Sequence, residues 1–256
     1  MDLQGKTVLV TGASSGIGQA TAIAFAQKRA RVLVHYGKNK AGAQATLDAV
    51  KAISSGNLYQ ADLMKRDQIA ALFAAIKTTG KTIDVLVNNA GDARGGELGD
   101  DEVWDYEYKN ILMSAVAVSR EFLAQPSPSL RKIINVTSLY GNLQTGEPHY
   151  LQYSAFKAAL ANLSATLNKS SAPNVIVNAI APGYTQTPAW AGAPPEVIAA
   201  CTRATTIGRF VRADEIAHAA VFIAENDALV GQVLTIDGGT SLVGMAYAFG
   251  VRHCRA

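Results

Sequence analysis

Short apolar runs alternate with longer amphipathic stretches along most of this chain. The apolar runs are rich in valine, isoleucine and leucine and lack a regular polar alternation, which is typical of strands buried on both faces of a parallel sheet. The stretches between them are long enough for helices that carry the chain back to the same edge of that sheet. The pattern predicts strands at 6–10, 31–36, 57–62, 83–87, 131–136, 174–180 and 232–237.

Helices are predicted between these strands, up to about residue 27 and over 41–53, 65–78, 100–124, 152–170 and 213–224. Strands that alternate with helices, joined by right-handed crossovers, make an α/β fold. We therefore predict one Rossmann-like domain over 1–256, a doubly wound parallel sheet of about seven strands with helices on both faces. The Pro- and Ala-rich segment 188–206 is interpreted as an irregular lid over the substrate, and 243–256 as a C-terminal tail.

A glycine-rich stretch, TGASSGIG at 11–18, lies between the first strand and the first helix. Strand, glycine turn and helix are the context that a dinucleotide-binding fingerprint requires. Gly12 would form the turn, Gly16 would let the backbone approach a pyrophosphate, and Gly18 would allow the helix to pack closely on the strand. Alone, such a stretch could be only a tight turn, but in this context it predicts a nucleotide site at a helix N-terminus.

The end of the second strand bears on the choice of cofactor. NAD-preferring enzymes commonly carry Asp or Glu there to hold the ribose 2′-hydroxyl. This chain has Tyr36, Gly37 and Lys38 instead. Lys38 could pair with a 2′-phosphate, or be a solvated loop charge. The position favours NADP(H), with NAD(H) possible.

Tyr153 and Lys157 are four residues apart and lead into an alanine-rich run that favours helix. Side chains at this spacing share one face of a helix. Lowering a tyrosine pKa from about 10 to near neutrality takes roughly 4 kcal/mol. A cation at about 4 Å, in an effective dielectric of about 20, supplies roughly that. The pair is thus able to make an acid/base tyrosine, although a Tyr–Lys pair on a helix is by itself usually a surface feature.

Composition narrows the function further. The 256 residues are 49% hydrophobic and carry a net charge of +3, without a basic run or aromatic-basic stripe, so nucleic acid is not expected as a partner. No apolar run approaches a membrane span, and the N-terminus enters a strand directly without a signal peptide, so a cytoplasmic protein is expected. Cys201 and Cys254 do not make a disulfide framework, and no metal-ligand spacing is present.

Taken together, the motifs resemble those of the short-chain dehydrogenase/reductase superfamily, over about 3–242. The pieces occur in the family's order and spacing: TGASSGIG at 11–18, Asp62, NNAG at 88–91, Asn110, Ser138, Tyr153 with Lys157, PGYTQT at 182–187 and IDGG at 236–239. The resemblance implies hydride transfer between NADP(H) and a carbonyl or secondary alcohol. The alternative is a nucleotide-binding sensor or interaction protein with the same fold and little activity.

The resemblance also implies catalytic roles. Tyr153 would exchange a proton with the substrate oxygen, and Ser138 would hydrogen-bond that oxygen. Lys157 would hold the nicotinamide ribose and lower the tyrosine pKa. Asn110 would anchor a water in a proton relay through Lys157, although a buried, satisfied amide is the simpler interpretation of that residue. A homotetramer is expected on the same grounds.

Cofactor contacts are implied along four loops. Asp62 would contact the adenine, unless it only caps the next helix. Asn88, Ala90 and Gly91 would wall the adenosine, and Thr187 would reach the carboxamide or phosphate. Ser15 stands where many NADP(H)-preferring relatives carry a basic residue. The candidate cofactor residues are Gly12, Ser14, Ser15, Gly16, Ile17, Gly18, Tyr36, Lys38, Asp62, Leu63, Asn89, Ala90, Gly91, Tyr153, Lys157, Pro182, Gly183, Thr185 and Thr187.

The stretch between Ser138 and Tyr153 is two residues longer than the family's usual spacing, so an enlarged loop over the substrate is expected. Candidate pocket residues form a mixed aromatic and polar set that suits a small-molecule ketoacyl thioester, sugar, cyclic ketone or aromatic carbonyl alike. They are Arg94, Tyr140, Leu143, His149, Tyr184 and Trp190.

Overall fold

Parallel strands form the central sheet in the computed structural model, which describes residues 1–171 and 173–243. The inner strands of this sheet are short and almost entirely buried, as a sheet covered on both faces requires, whereas the two edge strands are less buried. The strands of the described residues are β1 Thr7–Val10, β2 Arg31–Tyr36, β3 Gly56–Gln60, β4 Val85–Asn88, β5 Arg131–Val136, β6 Val175–Pro182, β7 Thr185–Gln186, β8 Val211–Arg212 and β9 Val233–Ile236.

The central sheet has the order β3-β2-β1-β4-β5-β6-β9, and all its strand pairs are parallel. The order reverses between β1 and β4, which creates a crevice beyond the carboxyl ends of these two strands. In doubly wound sheets, ligands bind in such a crevice. The predicted fold class is confirmed, and β7 and β8 form a small additional ladder.

Helices cover both faces of the sheet. On one face, α1 packs on α9 and α2, and on the other, α3 packs on α5. Side chains alternate between the two cores along each strand; Val8 and Val10 face the first and Leu9 the second. The α-helices are α1 Gly16–Gln27, α2 Lys40–Lys51, α3 Arg66–Lys77, α4 Asp101–Glu107, α5 Ser114–Ala124, α6 Leu151–Thr166, α7 Asn168–Ser171, α8 Pro195–Arg203, α9 Ala213–Glu225 and α10 Thr240–Val243.

The helix predicted over 100–124 is interrupted by a wide turn. Residues Tyr108–Met113 form a π-helical segment between α4 and α5, and the segment packs against α6. Such segments are rare and often lie at functional sites. The candidate residue Asn110 lies within it.

The prediction that the whole segment 188–206 is irregular is wrong. Pro195–Arg203 form the helix α8, preceded by a short 3₁₀ turn at Pro188–Trp190. Proline at the first helical position, Glu196 in the first turn and Arg203 in the last are ordinary helix signals. Of the predicted tail, residues 244–256 with Cys254 lie outside the described residues. None of the helices in the described part of the chain is long and apolar enough to cross a membrane.

Candidate active site

The glycine turn joins β1 to α1 in the crevice. A β-carbon on Gly18 would lie 2.3 Å from the carbonyl oxygen of Gly12, so only glycine fits where the helix crosses the turn. Gly16 has a φ of +54°, and a β-carbon there would lie 3.1 Å from a methyl of Thr187. The glycine turn and the segment after β6 therefore meet, as the sequence-based cofactor site requires. The first turn of α1 holds no acidic side chain, so its N–H groups face the crevice without a competing negative charge in the described structure.

Thr11 and Asn89 tie the turn to the end of β4. The hydroxyl of Thr11 accepts hydrogen bonds from the N–H groups of Asn89 and Ala90, at 2.9 and 3.0 Å. The amide of Asn89 donates in return to the carbonyls of Thr11 and Gly12, at 2.9 and 3.2 Å. Asn89 thus shapes the turn through its side chain. Thr11 was missing from the sequence-based candidates, although it belongs to the quoted motif.

His35 supports the turn from behind. Its Nδ1 accepts the N–H of Gly12 at 3.1 Å, which leaves Nε2 to donate to the carbonyl of Ala61, also at 3.1 Å. The side chain is 2% exposed. Burial lowers the pKa of His35 to about 4, against the opposing hydrogen bond to Ala61. The imidazole is therefore neutral at physiological pH, and this neutral form is the one that can accept from Gly12.

This histidine is expected to make the fold sensitive to mild acid. Its folded pKa of about 4 lies below the unfolded value of 6.5, so the unfolded chain binds a proton that the folded chain does not between these two pH values. Stability falls as pH is lowered through that window, by roughly 3 kcal/mol in total. Urea unfolding between pH 4 and 7 should show this slope, and His35→Gln should flatten it.

His218 provides the matched control, because it lies on the exposed side of α9. His218→Gln should leave the slope unchanged. A His35→Gln protein with the wild-type pH dependence would show that the buried imidazole is not the group responsible.

Three candidate catalytic side chains converge beyond β5. Ser138 follows that strand, and α6 presents Tyr153 and Lys157 on one face, as their spacing predicted. The Ser138 hydroxyl accepts the N–H of Tyr140 at 3.1 Å and lies close enough to Tyr153 to lower the pKa of the phenol. The ammonium of Lys157 lies 5.4 Å from the centre of the Tyr153 ring and donates to the carbonyl of Val136 at 2.7 Å. Lys157 is 5% exposed, so this hydrogen bond anchors a charge that is almost completely desolvated.

The pKa values of this pair depart from the sequence-based expectation. Burial lowers the pKa of Lys157 to about 8, with Glu107 opposing the shift. Burial raises the pKa of Tyr153 to about 12; the nearby Ser138 hydroxyl opposes the rise, and the carboxylates of Glu107 and Asp92 add to it. Lys157 is not among the groups that shift this pKa, so the expected lowering by the lysine does not appear in the free protein.

Asn110 lies on the π-helical segment next to the catalytic pair. Its amide nitrogen donates to the carbonyl oxygen and to Oδ1 of Asp92, both at 2.9 Å. Tyr106 donates to the same Oδ1 at 2.7 Å. The side chain of Asn110 is thus a satisfied amide that fixes the loop after β4, and a relay role would fall to other atoms of this residue.

Aromatic side chains extend from the catalytic tyrosine. Tyr150 meets Tyr153 edge to face, with ring centres 6.5 Å apart, and stacks on Tyr140 at 6.2 Å. The Tyr140 hydroxyl donates to that of Tyr184 at 3.3 Å, and Trp190 lies next to Tyr184 at 6.0 Å between ring centres. We refer to Tyr140, Tyr150, Tyr184, Trp190 and Phe210 as the aromatic wall.

Two members of this wall, Tyr150 and Phe210, were missed from the sequence. Tyr150 comes three residues before Tyr153 and belongs to none of the motifs quoted above. Phe210 belongs to no motif, and it reaches Trp190, with ring centres 4.9 Å apart, only because the segment after α8 folds back.

One of the three other pocket candidates touches this wall: the ring of His149 meets that of Tyr150 edge to face, with ring centres 5.1 Å apart. Leu143 is fully exposed, and His149 is exposed beside Gly95 on the enlarged loop. The guanidinium of Arg94 lies 3.3 Å from the centre of the Tyr106 ring, so it stacks on that tyrosine. The enlarged loop itself is held to the loop after β4 by a hydrogen bond from Gly96 N–H to the His149 carbonyl, at 3.2 Å.

Comparison with known proteins agrees with this geometry. A family model described as enoyl-(acyl carrier protein) reductase matches residues 12–241. The 3-oxoacyl-[acyl-carrier-protein] reductase FabG of Thermotoga maritima is 32% identical, over 93% of this chain and 99% of that protein. The chain belongs to the short-chain dehydrogenase/reductase superfamily.

Other members of this superfamily act on rings. Cis-4-hydroxycyclohexanecarboxylate dehydrogenase of Sinomonas cyclohexanicum is 34% identical, over 93% of this chain and 97% of that protein. The crystal structure of angucycline C-6 ketoreductase LanV with bound NADP superposes with a TM-score of 0.87 at 28% identity, over 94% of this chain and 97% of LanV. The predicted oxidoreductase class is thereby confirmed for this short-chain dehydrogenase/reductase.

Two expected cofactor contacts of this short-chain dehydrogenase/reductase need correction. Tyr36 is 4% exposed and packs in the core with Val32 and Val34, so its ring does not face the crevice. Asn88 is buried and donates to Ser119 and Asn135, which places it under the sheet edge and away from an adenosine wall. Asp62 accepts from the N–H of Met64 at 3.0 Å in the turn before α3, and its contact with the adenine stays a prediction.

Proposed function

We propose that this protein is an NADP(H)-dependent ketoreductase that acts on cyclic or aromatic ketones. The observation that carries the proposal is the aromatic wall, which reaches the ring of Tyr153 through Tyr150. Flat aromatic faces recognise rings through stacking and apolar contact, whereas an extended acyl chain gains little from them. Relatives that are named for cyclic substrates support this choice.

The residues around the glycine turn suit a nicotinamide dinucleotide. The turn lacks side chains at Gly12, Gly16 and Gly18, and the N-terminus of α1 points its free N–H groups to the position of a pyrophosphate. Thr187 lies next to Gly16 on the other side. The cofactor would supply the hydride, and the protein would orient it.

The chain's own residues would manage the proton. Tyr153 would give its phenolic proton to the reduced carbonyl oxygen, and its raised pKa keeps the phenol protonated at neutral pH before the transfer. Ser138 would hold the same oxygen by a hydrogen bond. Lys157 would bind the nicotinamide ribose and place a positive charge beside the tyrosine, so that the phenolate left by proton transfer is stabilised.

A panel of ketones tests the proposal directly. Oxidation of NADPH should be fastest, in kcat/KM, with cyclic and aryl ketones and slower with linear 3-oxoacyl thioesters. Tyr140→Ala, which removes the central ring of the aromatic wall, should lower kcat/KM for the ring substrates more than for the thioester. A reversed order would favour a 3-oxoacyl thioester reductase, and no turnover with any ketone would refute the function.

The loop after β2, at Gly37 and Lys38, bears on the choice between NADP(H) and NAD(H). This glycine follows β2, is exposed, and has room for a side chain, since a β-carbon would lie 3.9 Å from the nearest contact, the Ala61 carbonyl. Lys38 beside it is exposed. An exposed ion pair is worth about 0.2–1 kcal/mol, so Lys38 should give only a few-fold preference for NADPH.

Gly37→Asp is expected to reverse this preference. The carboxylate would accept from a ribose 2′-hydroxyl and repel a 2′-phosphate. The ratio of kcat/KM for NADPH to that for NADH should fall at least about tenfold, or about 1.4 kcal/mol. Gly37→Asn is the neutral control and should change the ratio much less. An unchanged ratio in Gly37→Asp, or a wild type that prefers NADH tenfold, would contradict the NADP(H) assignment.

A homotetramer and a cytoplasmic location stay predictions from the sequence and the family resemblance. The exposed hydrophobic side chains Tyr108, beside α4, and Val233, on the edge strand β9, suit burial between subunits.

A further inference from the structure

Glu107 is a fully buried acidic residue beside the catalytic pair. It is the last residue of α4, immediately before the π-helical segment, and its exposed fraction is 0%. Its Oε1 accepts the backbone N–H of Arg94 at 2.5 Å, and its Oε2 is buried without a hydrogen-bond partner in the described structure. A buried carboxylate oxygen left unpaired is costly, so a compensating interaction is required.

The nearby buried cation is Lys157, because α4 and the π-helical segment both pack against α6, and both side chains are buried. No direct ion pair joins the two side chains within the described residues, and the ammonium donates to the carbonyl of Val136. Burial raises the pKa of Glu107 and Lys157 opposes that rise, while Glu107 opposes the lowering of the Lys157 pKa by burial. The charge of Glu107 also reaches Tyr153 and raises its pKa.

The other groups around Glu107 do not replace this interaction. On the loop after β4, the carboxylate of Asp92 repels it, while the guanidinium of Arg94 is turned onto the Tyr106 ring. On its own helix, the Tyr106 hydroxyl donates to Asp92. The amide of Asn110 lies close enough to lower the pKa of Glu107 but makes its hydrogen bonds with Asp92. Lys157 is thus the buried cation on the neighbouring helix whose charge acts on the carboxylate.

We propose that Glu107 is a positioning residue of this active site, a buried negative charge that acts through Lys157 and keeps the lysine protonated at neutral pH. Burial alone drives Lys157 toward its neutral form, in which it cannot stabilise a tyrosine phenolate. A negative charge inside the same pocket opposes that loss. The importance of this coupling for catalysis rests on the proposed function, whereas the coupling itself can be measured in the free protein.

The titration of Lys157 in the free protein tests this coupling without substrate or cofactor. The ¹³Cε resonance of the lysine, assigned by its loss in Lys157→Met, is followed against pH in wild type and in Glu107→Gln. A unit charge several ångströms away, in an effective dielectric of about 20, moves a titration by about one to two pH units. The midpoint should therefore move to lower pH by about one unit or more in Glu107→Gln.

Asp105→Asn is the matched control. Asp105 lies on the same helix, two residues earlier, but its carboxylate is exposed and pairs with Lys109. Its removal should leave the midpoint of Lys157 unchanged. Glu107→Met, a second neutral variant, should show the same acid shift as Glu107→Gln if the glutamine variant does not fold.

Wild-type protein alone also decides the question. The ¹³Cδ resonance of Glu107 should show an ionised carboxylate at pH 7. A neutral carboxyl at this pH, or an unchanged Lys157 midpoint in either neutral variant, would overturn the proposal.

In turnover assays, the kcat/KM pH profile of Glu107→Gln should shift to lower pH, since loss of a negative charge lowers the pKa of both Lys157 and Tyr153. Inactivity of the wild type would refute the proposed function but leave the titration result standing.

Discussion

Tyr153→Phe should lower kcat by about 10²–10⁴, the usual loss when a positioned acid/base group is removed. The substitution deletes the only proton that the side chain can transfer and keeps the ring in its place on α6. Cofactor affinity should stay close to that of the wild type, because Lys157 and the glycine turn are unchanged. Single-turnover kinetics and cofactor titration by fluorescence measure the two effects separately.

Tyr150→Phe serves as the control for this experiment. Tyr150 packs against Tyr153 through its ring, so loss of its hydroxyl should leave turnover near that of the wild type. Retention of more than about a tenth of wild-type kcat in Tyr153→Phe would rule out Tyr153 as the proton donor.

Lys157→Met is expected to impair two functions at once. It removes the proposed ribose contact and also the positive charge beside Tyr153. We expect cofactor affinity to fall about tenfold or more, which is about 1.4 kcal/mol, and kcat to fall together with it. The buried carbonyl of Val136 also loses its donor, so the free energy of unfolding should be measured in parallel.

Lys169→Met, an exposed lysine on α7, should change neither quantity. If Lys157→Met binds NADPH with wild-type affinity, the ribose contact is not made by this lysine, even if turnover is lost.

Most of the fold was accessible from the sequence because its signals are local. The strands are continuous apolar runs, and the Tyr153–Lys157 pair lies on one helix face through its spacing alone. Strand alternation would also have placed Tyr36 correctly, since it shares its face with Val32 and Val34. In the family, a ribose contact usually comes from this position, and that resemblance points to Tyr36. The alternation of the strand instead turns the Tyr36 side chain into the core.

Other parts of the site depend on contacts that sequence spacing does not reveal. Phe210 joins the aromatic wall only through the path of the chain after α8. In a regular helix of 3.6 residues per turn, the direction of the Glu107 side chain would follow from that of Asn110. The wide turn changes this relation, so the sequence spacing does not give it. The charge beside Lys157 could therefore be found only in three dimensions.

The wide turn at Tyr108–Met113 also bears on how insertions and deletions would be tolerated in this helix. A π-helical turn holds about one residue more than an α-helical turn, and one residue corresponds to about 100° of rotation. The wide turn therefore absorbs its extra residue locally, and α4 and α5 keep the relative rotation that they would have in a regular helix. Deletion of one residue here should leave Glu107 in the interior as the acceptor of the Arg94 N–H. Deletion of one residue within α4 or α5 would instead rotate the two helices against each other by about 100° and should disturb the active site far more.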